Sequence, residues 1–111
     1  MTVLTIRAHK RYAVRQPVQL GKSGEKPISG LLIELSSEGV RISNLGRPGF
    51  TIGEPVTVEI DERRYHGKIR WTHDGIAGVR LDNPLFSSEL SDLIAIGRGE
   101  SPAAEIRRYG T

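Results

Sequence analysis

The feature that most constrains the fold is a series of short segments in which apolar and polar residues alternate, each segment ending in a turn sequence. Residues 40–43 alternate with a period of two, and residues 56–60 repeat the pattern. Such alternation is typical of strands with one face on a core and the other in water. Turn sequences at residues 36–39, 61–62 and 73–75 separate the segments at short intervals. The pattern therefore predicts antiparallel strands joined by hairpin turns.

Further strands are predicted on both sides of these segments. Residues 17–20 and 26–35 precede them, residues 65–71 and 77–81 follow, and weak alternation at residues 3–6 adds a candidate N-terminal strand. A chain of 111 residues with 37% hydrophobic content has room for one thin core. Closing six or seven short strands into a barrel removes their exposed edges. We therefore predict a mainly all-β fold, a small antiparallel β-barrel.

The hydrophobic period changes near the end of the chain, where four apolar residues recur at helical spacing: Phe86, Leu90, Leu93 and Ile94. The pattern stops at Gly97, which is a common helix terminator. This predicts one C-terminal α-helix packed on the barrel. The expected organisation is an N-terminal segment at residues 1–7, the barrel with its helix at residues 8–97, and a mobile tail at residues 98–111.

Several classes of function are not supported by the sequence. The chain contains no cysteine, which excludes disulfides and thiolate metal sites. His9, His66 and His73 are far apart, so no metal site is predicted, and no catalytic Ser/His/Asp arrangement is present. No apolar run approaches the roughly 18–20 residues of a membrane helix, and the first residues lack a signal-peptide pattern. We expect a cytoplasmic protein that is not an enzyme and has no membrane partner.

A cluster of cations precedes the strand predicted at residues 17–20. Arg11 and Arg15 stand four residues apart, Lys10 lies beside the first, and Arg7 forms an overlapping Arg-x-x-x-Arg pair with Arg11. Residues at this spacing share a face in a helix or a strand. Two planar guanidinium forks on one face can close on a single anionic ligand. The alternative is a solvated basic approach to the barrel, in a chain with a net charge of +3.

A second candidate motif is Glu-x-Ser-x-x-Gly. Glu34 and Ser36 lie two residues apart at a strand end, so their side chains leave the same face. A carboxylate and a hydroxyl in this arrangement suit the donor edge of guanine. Gly39 is expected in the following turn, free to adopt a positive φ. The alternative is a simple hairpin whose serine and glycine serve turn geometry.

The two motifs in this order resemble the PilZ domain, whose pattern is Arg-x-x-x-Arg followed by Asp/Asn-x-Ser-x-x-Gly. The resemblance covers about residues 8–97 and extends to Lys-Ile-Arg-Trp at residues 68–71 and Gly-Ile-Ala-Gly-Val-Arg-Leu at residues 75–81. In the family, proline or an aliphatic residue closely follows the second arginine, as Pro17 does here. This makes Arg11 and Arg15 the motif pair and Arg7 an additional cation.

The resemblance implies a six-stranded antiparallel barrel with an attached helix, and cyclic di-GMP, a bacterial second messenger, as the ligand rather than a cofactor. Carried over to this sequence, it implies these ligand-binding residues: Arg11, Arg15, Glu34, Ser36 and Gly39. Lys10 and Trp71 are candidates for further contacts, Lys10 with a phosphate or a second ligand molecule and Trp71 by stacking on a base. Glu34 departs from the family's Asp or Asn and is one methylene longer, so we expect weakened or adjusted binding.

The sequence supports three candidate functions. The first is a cyclic di-GMP receptor in which an arginine loop, residues 7–16, becomes ordered over the barrel and changes the contact with a downstream protein partner. The second is a degenerate PilZ-like module that binds only protein, an alternative that Glu34 keeps open. The third is a small basic barrel that binds single-stranded nucleic acid. Three tyrosines, two phenylalanines and one tryptophan give few stacking platforms, which disfavours this third function.

Overall fold

Six β-strands and one α-helix are present in the computed structural model, which describes residues 10–46 and 49–99. Their bounds are β1 (Tyr12–Gly21), β2 (Ile28–Leu35), β3 (Gly39–Ser43), β4 (Pro55–Ile60), β5 (Arg63–His73), β6 (Ile76–Leu81) and α1 (Ser87–Gly97). The predicted N-terminal segment, the candidate strand at residues 3–6 and most of the predicted tail lie outside the described residues. No helix in the described ranges has the length and apolar character needed to cross a membrane.

The six strands form a closed antiparallel barrel in the order β1-β2-β3-β6-β5-β4, with β1 pairing both β2 and β4. This confirms the predicted architecture. The hairpin between β4 and β5 turns at Asp61 and Glu62, which both have positive φ (49° and 71°). Two successive residues with positive φ are typical of a two-residue hairpin turn, whose backbone twist matches the twist of the flanking strands. The next hairpin uses Asp74 and Gly75 in the same way, with φ of 47° and 78°.

The core is aliphatic and lies inside the barrel, because the strands bury alternate side chains. Ala77, Val79 and Leu81 of β6 are all buried, as their alternation predicts. In the described part of the chain, no polar or charged side chain is buried. Charged groups therefore lie on the outside of the barrel, and chemistry that involves them takes place on that outer surface.

The first strand begins earlier than predicted. The sequence places residues 7–16 in a loop before a strand at Pro17, but β1 starts at Tyr12 and includes Arg15. The cations obscured the strand's alternation, in which Val14 is buried between exposed neighbours. Tyr12 pairs with Leu35, and the register shifts between Ala13 and Gln16. The second motif arginine is therefore part of the barrel wall.

The helix is confirmed, but the apolar face predicted for it includes one wrong residue. Phe86 is 76% exposed and precedes the helix in an extended conformation, with φ −70° and ψ 158°. Its N–H donates to the Glu89 carboxylate at 3.4 Å, an interaction common in the first turn of a helix. The helix begins at Ser87, so Phe86 lies before its first turn and does not belong to its apolar face. Leu93 and Gly97 are buried, and Leu90 and Ile94 are partly buried against the core.

Candidate functional site

A cavity of ≈ 460 Å³ lies on the outside of the barrel, where the turn between β2 and β3 meets β5 and β6. Its volume falls in the usual range for sites that bind small molecules, roughly 300–1,000 Å³. Most of its lining residues are polar, charged or glycine. The lining residues are Arg11, Glu34, Leu35, Ser36, Glu38, Gly39, Val40, Arg41, Arg70, Trp71, Gly78, Val79 and Arg80.

The cavity brings together five of the seven candidate residues from the sequence: Arg11, Glu34, Ser36, Gly39 and Trp71. Lys10 and Arg15 are exposed and do not line it. Arg11 immediately precedes β1 and Arg15 lies on it, and at about 3.3 Å per residue an extended chain separates the two by at most roughly 13 Å. The cavity lies at the Arg11 end of the Arg-x-x-x-Arg pair.

The Ser36 hydroxyl is engaged in shaping the turn. It accepts hydrogen bonds from the N–H groups of Glu38 at 3.2 Å and Gly39 at 3.1 Å, and it donates to the Gly39 carbonyl at 3.3 Å. A hydroxyl has one donor and two acceptor positions, and all three are used here. Ser36 therefore holds the cavity's turn in shape through its side chain, in the manner typical of serine in turns.

Gly39 is required for a different reason from the one predicted. The sequence predicts a positive φ for Gly39, but in the structure its φ is not positive and it begins strand β3. A Cβ at this position would lie 2.5 Å from the carbonyl oxygen of Val79 on β6. The glycine therefore permits a close approach of two paired strands at the edge of the cavity.

One row of residues crosses four strands on the wall of the cavity. Glu34 on β2 is paired directly with Arg41 on β3, Arg41 with Gly78 on β6, and Gly78 with Trp71 on β5. The Arg41 Nη2 lies 3.6 Å from the Glu34 Oε1, and the Arg41 guanidinium carbon lies 5.5 Å from the centre of the Trp71 ring. A cation at this distance from an indole is attracted to its π face.

The charges that line the cavity are mainly positive. Four arginines (Arg11, Arg41, Arg70 and Arg80) and two glutamates (Glu34 and Glu38) line it, and four positive minus two negative charges leave a formal surplus of two. Arg80 and Glu38 form a second, looser ion pair at 3.9 Å. This arrangement of charges suits an anionic ligand that also carries hydrogen-bond donors and acceptors.

Sequence reasoning missed the three arginines that the strands contribute: Arg41, Arg70 and Arg80. Each occupies an outward position of an alternating strand, which is the available signal in the sequence. What alternation does not show is which strands are neighbours. Since β3 pairs with β6 rather than with β4, residues far apart in the chain meet at one wall.

The helix is attached to both motif regions. At its C-terminal end, the Arg98 Nε donates to the Ala13 carbonyl at 3.1 Å, and Gly97 lies close to the Val14 side chain. At its N-terminal side, the Leu85 N–H donates to the Ser37 carbonyl at 2.8 Å. Direct contacts therefore join the first motif region to the C-terminal end of α1 and the second to Leu85, two residues before α1 begins.

The residues that the structure describes contain no group of three His, Cys, Asp or Glu side chains that could hold a metal ion. His73 and Asp74, which the sequence places in a turn, form an exposed pair at 3.1 Å. His66 and His73, the histidines within the described ranges, therefore add no second candidate site.

Comparison with known proteins agrees with this architecture. The sequence matches the family model described as PilZ domain over residues 5–96. The fold is similar to the crystal structure of the PilZ domain of CeSA from a cellulose-synthesizing bacterium, with a TM-score of 0.55 and 16% sequence identity. The match covers 79% of this chain and 94% of that one, and at this identity it shows the fold alone. No curated protein matches the sequence.

Proposed function

The chain belongs to the PilZ domain family, a family of cyclic di-GMP receptors, and from this premise we propose that it is a non-enzymatic receptor for cyclic di-GMP. One observation carries the proposal. Arg11, from the first motif, and Glu34, Ser36 and Gly39, from the second, line one cavity although about twenty residues separate the motifs. This cavity is the proposed ligand site.

The chemistry of the cavity is complementary to that of the ligand. Cyclic di-GMP carries two phosphates and two guanines in a compact ring. Guanidinium groups bind phosphate oxygens and the O6/N7 edge of guanine through paired hydrogen bonds. Arg11, Arg41, Arg70 and Arg80 are the candidates for these contacts. A carboxylate such as that of Glu34 accepts hydrogen bonds from the donor edge of guanine, which makes Glu34 the counterpart of the family's Asp or Asn.

We further propose that the ligand changes the surface offered to a protein partner through the arginine loop. Lys10 and Arg11, the described part of this loop that precedes β1, would close over the bound nucleotide, whereas Arg15 lies on β1 outside the cavity lining. Because Ala13 and Val14, at the start of β1, contact the end of α1, ordering of the residues just before β1 would be passed on to the helix. Amide hydrogen exchange at residues 7–16 should slow when cyclic di-GMP binds, and exchange that ignores the ligand would contradict this step.

Isothermal titration calorimetry with cyclic di-GMP tests the proposed function. We expect saturable binding with a Kd in the micromolar range or tighter, which corresponds to about −8 kcal/mol. Arg11→Ala should weaken binding roughly ten- to a hundredfold, because it removes hydrogen bonds to a charged group of the cavity. Arg64→Ala is the matched control, since it removes an exposed arginine of β5 that does not line the cavity. GTP and cyclic di-AMP serve as ligand controls.

The competing function, a module that binds only protein, is favoured by one observation. Glu34 is already paired with Arg41, which occupies the carboxylate expected to meet guanine. If this pairing closes the site, the wild-type protein will give no heat and no thermal shift with cyclic di-GMP. Binding of single-stranded oligonucleotides with a steep salt dependence would instead support the nucleic-acid function.

A further inference from the structure

We propose that Arg41 is a guanine-binding residue of the cavity, and that Glu34 and Trp71 position its guanidinium for this contact. The inference rests on the proposed function, because it assigns a role within the same site. It adds a residue that lies outside both sequence motifs. It also assigns a role to Glu34, whose side chain is longer than the family's Asp or Asn: Glu34 orients Arg41 and presents a hydrogen-bond acceptor beside it.

The barrel wall is built to let Arg41 and Trp71 meet. Gly78 lies between them in the cross-strand row, so the two side chains would ordinarily be separated by a third. The Trp71 indole covers Gly78, where a Cβ would lie 2.5 Å from the ring carbon Cε2. The absence of a side chain at residue 78 therefore makes room for the indole, which reaches towards Arg41 over the intervening strand.

Two contacts restrict the orientation of the guanidinium. The Trp71 ring lies on one side at 5.5 Å, and the Glu34 carboxylate lies at Nη2 at 3.6 Å. The side chains of Arg41 and Glu34 are 38% and 30% exposed, so both still face the cavity. A guanidinium carries five N–H donors in a fixed plane, and one carboxylate at one nitrogen leaves most of them available to a ligand.

The Glu34–Arg41 pair presents an acceptor next to a donor. Guanine presents the matching pattern, since O6 is an acceptor and the neighbouring N1–H and N2–H groups are donors. In the proposed contact, Arg41 donates to O6 and N7, and Glu34 accepts from N1–H and N2–H. Adenine has a donor at N6, where it would face the donors of Arg41, and an acceptor at N1, where it would face the acceptor of Glu34. Neither of these pairs forms a hydrogen bond. The arrangement therefore selects guanine over adenine.

The test compares cyclic di-GMP with cyclic di-AMP, which has the same phosphates. Trp71 is the single tryptophan of the chain, so its fluorescence reports binding in this cavity for wild type and variants. Arg41→Met keeps the aliphatic stem and removes the donors, while Arg41→Lys keeps the charge without the planar fork. Arg64→Met removes one positive charge outside the cavity and is the matched control. Thermal unfolding of each variant verifies that it folds.

For Arg41→Met we expect an affinity loss for cyclic di-GMP of roughly ten- to a hundredfold, the value of one paired contact to a base. The preference over cyclic di-AMP should shrink by a similar factor. Arg41→Lys should recover little of the loss, and Arg64→Met should bind like the wild type. Glu34→Gln should also narrow the preference for guanine.

Two results would overturn the inference while leaving the proposed function in place. One is an affinity of Arg41→Met for cyclic di-GMP that equals the affinity of the wild-type protein. The other is an equal loss for both nucleotides, which would make Arg41 a general phosphate contact. If the wild-type protein binds no cyclic di-GMP, the proposed function fails and this inference fails with it.

Discussion

Two regions of this molecule contain the same three ingredients, a cation, a carboxylate and an aromatic ring, and use them differently. In the cavity, Arg41 is paired with Glu34 and lies 5.5 Å from the centre of the Trp71 ring. In the second region, the clamp formed by Lys22, Gly49, Phe50, Thr51 and Glu54, Lys22 lies 5.5 Å from the centre of the Phe50 ring. The aromatic distances are the same, so the difference lies in the remaining partners.

The clamp is closed on itself. The Lys22 ammonium donates to the Gly49 carbonyl at 2.9 Å and lies 3.1 Å from the Glu54 carboxylate, and a second carboxylate, that of Glu25, lies 3.7 Å away. Glu54 also accepts from the Thr51 N–H at 2.8 Å. The Lys22 side chain is 17% exposed, against 38% for Arg41. A cation held by several short contacts inside the protein fixes the position of a loop, whereas a cation with free N–H donors beside a cavity is available to a ligand.

The largest expected effect concerns the glycines of the two regions. Gly39→Ala would force a Cβ against the Val79 carbonyl, and we expect a loss of about 2–3 kcal/mol in unfolding free energy from this overpacking. Gly49→Ala in the clamp meets no atom within 4 Å, so its effect should stay within about 0.5 kcal/mol. Urea unfolding of both variants measures the difference. Equal stabilities would show that the strands beside the cavity tolerate a side chain at residue 39.

The next effect separates binding from stability. Gly78→Ala should displace the Trp71 indole from its position over β6 and remove the support of Arg41. We expect about a tenfold loss of cyclic di-GMP affinity, which corresponds to roughly 1.4 kcal/mol, together with a change in tryptophan emission before ligand is added. Gly49→Ala again serves as the control. Unchanged emission and affinity would show that the Trp71–Arg41 contact has no role in the site.

A third prediction compares removal of the clamp cation, Lys22, with removal of the cavity cation, Arg41. Lys22→Met should lower the urea midpoint, because it leaves the Glu54 carboxylate and the Gly49 carbonyl without their shared donor. It should leave cyclic di-GMP affinity unchanged. Arg41→Met should do the reverse, with weakened binding and an almost unchanged midpoint. If both variants lose stability equally, the distinction between a structural and a ligand-binding cation is wrong.

The smallest effect is the pH dependence of the clamp. The hydrogen bond from the Thr51 N–H and then the contact with Lys22 hold the pKa of Glu54 below its usual value of 4.5. The unfolded chain therefore binds this proton first as the pH falls. The stabilisation from Glu54 is fully present above pH 4.5 and is lost as the pH falls through the lower pKa of the folded state.

Urea midpoints measured between pH 6 and pH 3 test this effect. The wild-type protein should lose more stability over this range than Glu54→Gln, whose side chain does not titrate. Parallel losses in the two proteins would show that Glu54 makes no contribution to the acid sensitivity.

The barrel could be predicted from the sequence because alternation and turn residues act locally. Residues 56–60 alternate in the sequence and form strand β4, and Asp61 and Glu62 form the tight turn that follows. The start of β1 was missed because strand pairing, rather than the composition of its own segment, decides that Tyr12 and Val14 belong to the sheet. Charged residues at exposed positions of a strand look like a loop until the partner strand is known.

The site could be predicted only in part, for a related reason. The two motifs select Arg11, Glu34, Ser36 and Gly39 from their spacing, and all four line the cavity. Gly39 lines the cavity, but the positive φ predicted for it was wrong, since a close approach to β6 depends on a neighbour that the local sequence does not contain. The wall that holds the strand arginines exists because β3 lies between β2 and β6. That order is a property of the closed barrel rather than of any segment.

The most direct test of the proposed site is a titration of ¹⁵N-labelled protein with cyclic di-GMP, followed by backbone amide and tryptophan indole resonances. The two regions serve as site and internal control in one experiment. We expect saturable shifts at Gly39, Arg41, Gly78 and the Trp71 indole N–H, with the resonances of Gly49 and Thr51 in the clamp unchanged. No shifts, or shifts concentrated in the clamp, would contradict the claim that this cavity receives the nucleotide.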